Sequence, residues 1–156
     1  MQVRIREARP DDAPAIAAFN AAMALETEHL KLDPDRLAGG VAALLADPAH
    51  GFYLLAEIDG RPAGQMMITY EWSDWRNGVF WWIQSVFVEP AWRRQGVFRA
   101  LYDHVLVRAR ATAGVCGLRL YVENENARAQ ATYGGLGMSE APYKMFEVDF
   151  VIRRPT

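Results

Sequence analysis

The hydrophobic pattern of the first fifty residues predicts one strand followed by two helices. Residues 2–8 alternate between apolar and polar side chains, which is typical of a half-buried strand. Apolar residues then recur at helical spacing up to about residue 30. A second helix is predicted to start at Asp33-Pro34 and to end at Asp47-Pro48, because aspartate favours the helix N-cap and proline is tolerated in the first turn.

From Phe52 onward the period changes to that of strands. Two strand-like segments meet at Asp59-Gly60, which is a strong signal for a β-hairpin. Segment 79–88 is apolar on both faces, which indicates a central strand that is covered on two sides. The remaining predicted elements are a helix over 96–113, a strand over 117–123, a helix from Asn126 to about Leu136 and a strand over 144–152.

The resulting order of elements, β-α-α-β-β-β-α-β-α-β, is typical of a mixed α/β fold. A chain of 156 residues is long enough for one domain with its own core and short for two. The sequence therefore predicts a single α/β domain over residues 1–156, with about four helices.

Composition and charge narrow the class of protein. The chain is 51% apolar with 17 basic and 19 acidic residues, so it lacks the basic excess of a protein that binds phosphate backbones. The single cysteine, Cys116, cannot close an intrachain disulfide, which fits a reducing compartment. The sequence contains neither the apolar segment of a signal peptide nor a run of eighteen apolar residues. We therefore expect a cytoplasmic protein that binds neither nucleic acid nor membrane.

The segment between the central strand and the long helix carries the strongest candidate chemistry. It reads PAWRRQGVFRALYDHV, a strand, a turn with Arg93, Arg94 and Gly96, and then a helix. The first amides of a helix have no intrahelical partner and lie at its positive end, so an anion binds there favourably. The alternative is a capped helix with solvated arginines. The GxxxxGK[ST] and GxGxxG phosphate motifs are both missing from this sequence.

Two motifs in this chain resemble those of the GNAT superfamily of acyl-CoA-dependent N-acetyltransferases. The run from Arg93 to Phe98 is similar to the R/Q-x-x-G-x-G/A loop of that family, with Phe98 in place of the usual small residue. The run VENENARAQATYGGLGM resembles its second signature, with Met138 in place of the final phenylalanine. The second signature is matched at Val122, Asn126, Ala129, Tyr133 and Gly137.

The resemblance implies a fold and a cofactor site. It implies a mixed sheet of about six to seven strands in which parallel strands 79–88 and 117–123 splay apart, so that the pantetheine arm of acetyl-CoA lies between them. Asn126 would reach the pantetheine or the thioester, although asparagine at a helix start is equally expected as an N-cap. The implied acetyl-CoA contacts are Val86, Phe87, Val88, Arg93, Arg94, Gln95, Gly96, Val97, Phe98, Arg99 and Asn126.

Tyr133 is the candidate catalytic residue that the resemblance implies. Its phenol would protonate the thiolate of coenzyme A as a general acid, and the alternative is a tyrosine packed on a helix face. Many relatives carry a glutamate as general base where this chain has Gln84, which cannot accept that proton. Glu71, Glu26, Glu123 or a chain of waters remain open as substitutes. The histidines show no metal-ligand spacing with Cys116, so no metal is expected.

The acceptor is expected to be a primary amine on a small molecule or a peptide. Trp72 and Trp75, with Glu71 and Asp74, would form an aromatic and acidic wall for a cationic amine. The resemblance thus implies an N-acetyltransferase that uses direct attack on the thioester of acetyl-CoA. The alternative is a non-catalytic acyl-CoA-binding module. A homodimer is compatible with either reading.

Overall fold

The computed structural model describes residues 1–154 and has an α/β fold with four helices, as the sequence predicts. Short 3₁₀ turns at Pro10–Asp12 and Pro90–Trp92 precede the first and third helices. The strands are β1 (Val3–Glu7), β2 (Phe52–Ile58), β3 (Arg61–Ser73), β4 (Gly78–Val88) and β5 (Val115–Arg119). The helices are α1 (Ala13–Glu28), α2 (Pro34–Ala46), α3 (Val97–Ala111) and α4 (Ala127–Gly135).

The strands form one mixed sheet in the order β1-β2-β3-β4-β5. The first four run antiparallel to their neighbours, and β5 runs parallel to β4. This parallel pairing ends at Trp82 and Arg119, whereas β4 continues to Val88 while still paired with β3. We call the side of residues 83–88 that faces away from β3 the open edge of β4, because no strand of the described residues pairs with it there. The pairing of the two parallel strands thus ends where this edge begins.

The core lies on both faces of the sheet. On one face, Ile16 of α1 and Val41 of α2 pack with Tyr53 and Leu55 of β2. On the other face, α3 contacts all five strands and stacks the guanidinium of Arg108 over Phe52, 4.1 Å from the ring centroid. Strands β3 and β4 are thereby held from two sides, and the end of β4 is fixed relative to the start of α3.

Two compact units divide the chain, one ending at Leu120 and one beginning at Tyr121. The sheet, α1, α2 and α3 belong to the first unit, and α4 is the regular element of the second. The prediction of a single domain over 1–156 stays a prediction.

The predicted strand over 144–152 is wrong, and the sheet accordingly has five strands rather than six to seven. Phe146, Val148 and Phe150 alternate as in a strand but are 92%, 80% and 94% exposed. A strand needs a neighbour for its backbone groups, and no ladder reaches this segment within the described residues. Instead, the Asp149 carboxylate accepts hydrogen bonds from the amides of Val151 and Ile152, a local turn that competes with a ladder. The strand predicted over 117–123 is β5, which ends earlier, at Arg119.

Candidate active site

The backbone between β4 and α3 turns sharply at two left-handed residues. Arg94 has φ +64° and Gly96 has φ +85°. Such alternation directs successive amides into a concave surface that suits an anion. The first helical hydrogen bond runs from the amide of Ala100 to the carbonyl of Gly96 at 2.9 Å, so the amides of residues 97–99 precede the helical ladder. We call residues 93–99 the anion loop.

The guanidinium of Arg93 is occupied by protein partners. Its Nε donates to the Val88 carbonyl at 2.8 Å, and its two terminal nitrogens donate to the Glu26 carboxylate at 2.6 and 2.8 Å. These hydrogen bonds raise the pKa of Arg93 and lower the pKa of Glu26. Arg93 therefore joins α1 to the end of β4, and its side chain is not available to a phosphate in this arrangement. Local sequence patterns could not predict this partner, because Glu26 lies 67 positions away along the chain.

The other side chains of the anion loop lie against the protein or in solvent. The Val97 side chain is buried and anchors the start of α3 in the core. The Phe98 ring lies 6.3 Å from the Tyr102 ring, one helical turn farther along α3. Gln95 donates to the Ala91 carbonyl at 2.9 Å, and Arg99 pairs with Asp103 at 2.9 Å. The loop thus offers an anion mainly its backbone, with the exposed Arg94 beside it.

The backbone of β4 presents alternating groups to its open edge. The Glu89 amide donates to the Ala63 carbonyl at 2.9 Å, and Phe87 lies opposite Gln65. Because hydrogen-bonding direction alternates along a strand, the amide of Phe87 faces β3, and those of Val86 and Val88 face the open edge. Of the three predicted contacts on β4, Val86 and Val88 are therefore oriented toward a ligand at that edge. The Phe87 side chain packs against the Phe19 ring of α1 at 5.3 Å.

Two of the three carboxylates considered as a general base are ion-paired. Glu26 pairs with Arg93, and Glu71 accepts from Arg119 at 2.5 Å. Gln84 donates its amide to the Thr69 hydroxyl at 2.6 Å, which fixes its side chain along the sheet. Glu26 is a weak proton acceptor, since Arg93 stabilises its charged form and lowers its pKa. The general base therefore remains unassigned.

The predicted residues on α4 belong to the second compact unit. Asn126 is the N-cap, and its Oδ1 accepts from the amide of Ala129 at 3.0 Å, as the alternative interpretation expected. Tyr133 is half-buried on α4, and burial raises the pKa of its phenol. The phenol is therefore protonated at neutral pH, as a proton donor must be.

The tryptophans of the predicted acceptor wall are exposed, but one of the two carboxylates beside them is ion-paired. Trp72 and Trp75 at the β3–β4 turn are 61% and 85% exposed. Glu71 is paired with Arg119, and Asp74 accepts from the amide of Trp75 at 2.9 Å. The turn keeps its aromatic surface, but one of its two carboxylates is neutralised.

Residues 1–154 show neither a membrane-spanning helix nor a metal-binding cluster. None of the helices there combines the length and apolar character needed to cross a bilayer. The same residues hold no cluster of three or more histidine, cysteine, aspartate or glutamate side chains that could bind a metal ion.

A family model described as Acetyltransferase (GNAT) family matches residues 9–138 of the chain. The match begins after β1 and extends beyond the end of α4, so it includes the anion loop and Tyr133. No curated protein sequence matches the chain.

Solved structures share the fold over nearly the whole chain. A possible acetyltransferase from Clostridium difficile 630 is 45% identical, with a TM-score of 0.89 over 97% of this chain and 100% of that one. A ribosomal-protein-alanine N-acetyltransferase from Brucella melitensis biovar Abortus 2308 is 19% identical, with a TM-score of 0.77 over 96% of this chain and 99% of that one. A predicted acetyltransferase with acetyl-CoA from Clostridium acetobutylicum is 14% identical, with a TM-score of 0.77 over 96% of this chain and 97% of that one. The last two likenesses concern the fold alone.

Proposed function

Because the chain belongs to the GNAT acetyltransferase family, we propose that it transfers the acetyl group of acetyl-CoA to a primary amine by direct attack of the amine on the thioester. The observation that carries this proposal is the anion loop. Left-handed residues at Arg94 and Gly96 precede a helix whose first amides lie outside the helical ladder. Amides arranged in this way form several charge-assisted hydrogen bonds with a diphosphate at once.

The residues of β4 and the anion loop divide the binding of acetyl-CoA between them. The amides of residues 94–99 hold the diphosphate. The backbone groups of Val86 and Val88 bond to the pantetheine arm, which lies along the open edge of β4 like an added strand. The Val88 amide also offers a donor for the negative charge that develops on the carbonyl oxygen during attack. The Val88 carbonyl is held by Arg93, which leaves its amide as the group directed to the ligand.

The chemistry requires one proton to leave the amine and another to reach sulfur. The amine nitrogen forms a bond to the acetyl carbon, the carbon–sulfur bond breaks, and the thiolate of coenzyme A departs. Tyr133 donates its phenolic proton to that sulfur, and burial favours the protonated form that this role needs. An alkyl ammonium titrates near ~10, so the small neutral fraction of the amine is the attacking species. We propose that water takes the proton that the attacking nitrogen loses, because Glu26 and Glu71 are ion-paired, and that water returns a proton to the Tyr133 phenolate.

The acceptor is proposed to be an amine on a small molecule or a peptide, and the protein is proposed to act in the cytoplasm. The exposed Trp72 and Trp75 support an acceptor with apolar or cationic character. The lone cysteine, Cys116, supports a reducing compartment.

A non-catalytic acyl-CoA-binding module is the second candidate. The observation that favours it is Gln84, whose amide is fixed on Thr69 and cannot act as a base. Incubation with acetyl-CoA and a panel of amines, followed by free thiol release and product mass, separates the two. We expect thiol release that depends on the amine, together with a product heavier by one acetyl group. Saturable coenzyme A binding without turnover for any amine would favour the module instead.

Replacing Glu26 by glutamine is expected to tighten coenzyme A binding. The Glu26 carboxylate lies against Arg93 of the anion loop, so its charge repels the diphosphate. Glutamine keeps an acceptor for Arg93 and removes that charge, which contributes on the order of 1 kcal/mol at close range in water. By calorimetry we expect Kd to fall about two- to fivefold at low salt, with the gain shrinking as salt is added. Asp74→Asn, a loss of the same charge at the opposite end of β4, is the control. A Kd that rises, or that falls equally in both variants, contradicts this electrostatic account.

A further inference from the structure

Four polar side chains meet in the core between α1 and the sheet. They are Asn20 of α1, Tyr53 of β2, Gln65 of β3 and Ser85 of β4, and we call them the polar ring. Gln65 Nε2 donates to Asn20 Oδ1 at 2.9 Å and to the Ser85 carbonyl at 3.0 Å. Asn20 Nδ2 donates to the Tyr53 phenol at 3.2 Å, and the Ser85 side chain acts with Asn20 against the burial that raises the pKa of that phenol. Asn20, Tyr53 and Gln65 are all at most 4% exposed.

Ser85 stands at a bulge in β4. Between the pairs Gln65–Phe87 and Met67–Gln84, strand β3 has one residue and β4 has two. Ser85 adopts φ +49°, a left-handed conformation that is strained for a residue with a side chain. The carbonyl of Ser85 accepts from Gln65 Nε2 within the polar ring. The ring therefore stabilises a backbone conformation that serine alone disfavours.

Because of the bulge, the last residues of β4 direct their side chains to the opposite face of the sheet and their amides to the opposite edge of the strand. The Trp81 side chain lies near Arg108 of α3, whereas the Phe87 side chain packs on Phe19 of α1. In a regular strand, residues six positions apart share a face, so the extra residue has turned the strand. In a regular strand, the amides of Ser85 and Phe87 would face the open edge. With the extra residue, the amides of Val86 and Val88 face it instead.

We propose that Asn20 and Gln65 are positioning residues, which hold the Ser85 bulge through the polar ring and thereby aim the backbone of Val86 and Val88 at the pantetheine arm. This inference rests on the proposed function. Neither side chain touches acetyl-CoA, and both act through Ser85. Stability alone does not account for Gln65, because its Oε1 is buried with no hydrogen-bond partner among the described residues, and such an atom is unfavourable. Methionine has a similar volume and would fill the same space without that unpaired oxygen.

The test compares two ligands on the full chain. Coenzyme A contains the arm, whereas phosphoadenosine diphosphate is the same molecule without it. For Gln65→Met we expect the Kd of coenzyme A to rise about tenfold, as the loss of one well-made hydrogen bond would give, and the Kd of phosphoadenosine diphosphate to stay within about twofold. Tyr53→Phe removes only one oxygen from the polar ring and is expected to act as Gln65→Met does, raising the Kd of coenzyme A while leaving that of phosphoadenosine diphosphate within about twofold. Tyr53→Phe tests the proposal in place of Gln65→Met if the latter variant does not fold.

The matched control is Thr69→Val, which removes the cross-strand hydrogen bond to Gln84 on the same strand pair but outside the polar ring. We expect it to leave the Kd of both ligands unchanged. A weakening of both ligands by equal factors in Gln65→Met and Tyr53→Phe would indicate a structural role only and overturn the proposal. Unchanged coenzyme A binding in both variants would also overturn it. If the wild-type protein binds neither ligand, the proposed function itself fails.

Discussion

Replacing Tyr133 by phenylalanine is expected to lower kcat for acetyl transfer by about 10²- to 10⁴-fold, the usual contribution of a positioned general acid. Phenylalanine keeps the ring and removes the proton that the departing thiolate requires. Binding of coenzyme A is expected to stay within about twofold, because the anion loop and the open edge of β4 supply the binding contacts. Stopped-flow detection of free thiol gives kcat, and calorimetry gives Kd.

The matched control for this substitution is Tyr143→Phe, since Tyr143 is 68% exposed and lies outside α4. It should leave kcat unchanged. An undiminished kcat in Tyr133→Phe would remove Tyr133 from the mechanism.

The pH dependence of kcat follows from the same phenol. Burial raises the pKa of Tyr133 above its ordinary value near 10, so the donor stays protonated throughout the neutral range. The rate is therefore expected to rise with pH as the acceptor amine loses its proton, and to fall only above pH ~10, where an ordinary tyrosine begins to ionise. Tyr133→Phe should abolish that alkaline fall. An alkaline fall that persists in the variant would assign it to another group.

Replacing Gly96 by valine is expected to raise the Kd of coenzyme A by about 10- to 100-fold, since a residue forced into a left-handed conformation is strained by about 1–3 kcal/mol. Gly96 has φ +85°, and a Cβ there would meet no atom within 4 Å. The effect therefore comes from the backbone conformation and not from crowding. A loop that relaxes this strain turns its amides away from the diphosphate.

Gly60 offers a matched control for Gly96. It has φ +74° at the β2–β3 turn, and a Cβ there also meets nothing within 4 Å. Gly60→Val should lower the free energy of unfolding about as much as Gly96→Val while leaving Kd unchanged. Equal Kd values for the two variants would show that the loop backbone does not bind the diphosphate.

Local patterns in the sequence predicted the framework of the site. The apolar run over 79–88 predicted β4, and the turn at Arg93 to Gly96 followed by helical spacing predicted the start of α3. These features depend on neighbours within a few positions, so sequence periodicity captures them. Asn126 also lies where the pattern placed it, at the start of α4, with its side chain capping that helix.

Features that depend on distant partners were not predictable from those patterns. The Ser85 bulge has no local signal, because its carbonyl is held by Gln65 on a neighbouring strand. The occupation of Arg93 by Glu26 is likewise a contact between α1 and the anion loop. The alternation over 144–152 does resemble a strand, but a strand also needs a partner, and periodicity carries no information about partners.

The most direct test of the central claim is a titration of the ¹⁵N-labelled protein with phosphoadenosine diphosphate, followed by ¹H–¹⁵N spectra. If the start of α3 seats a diphosphate, the amide signals of Gly96, Val97 and Arg99 shift and saturate together, and the same signals stay in place with adenosine alone. Saturable shifts confined to residues outside the anion loop, or no saturable shift at all, would contradict the account.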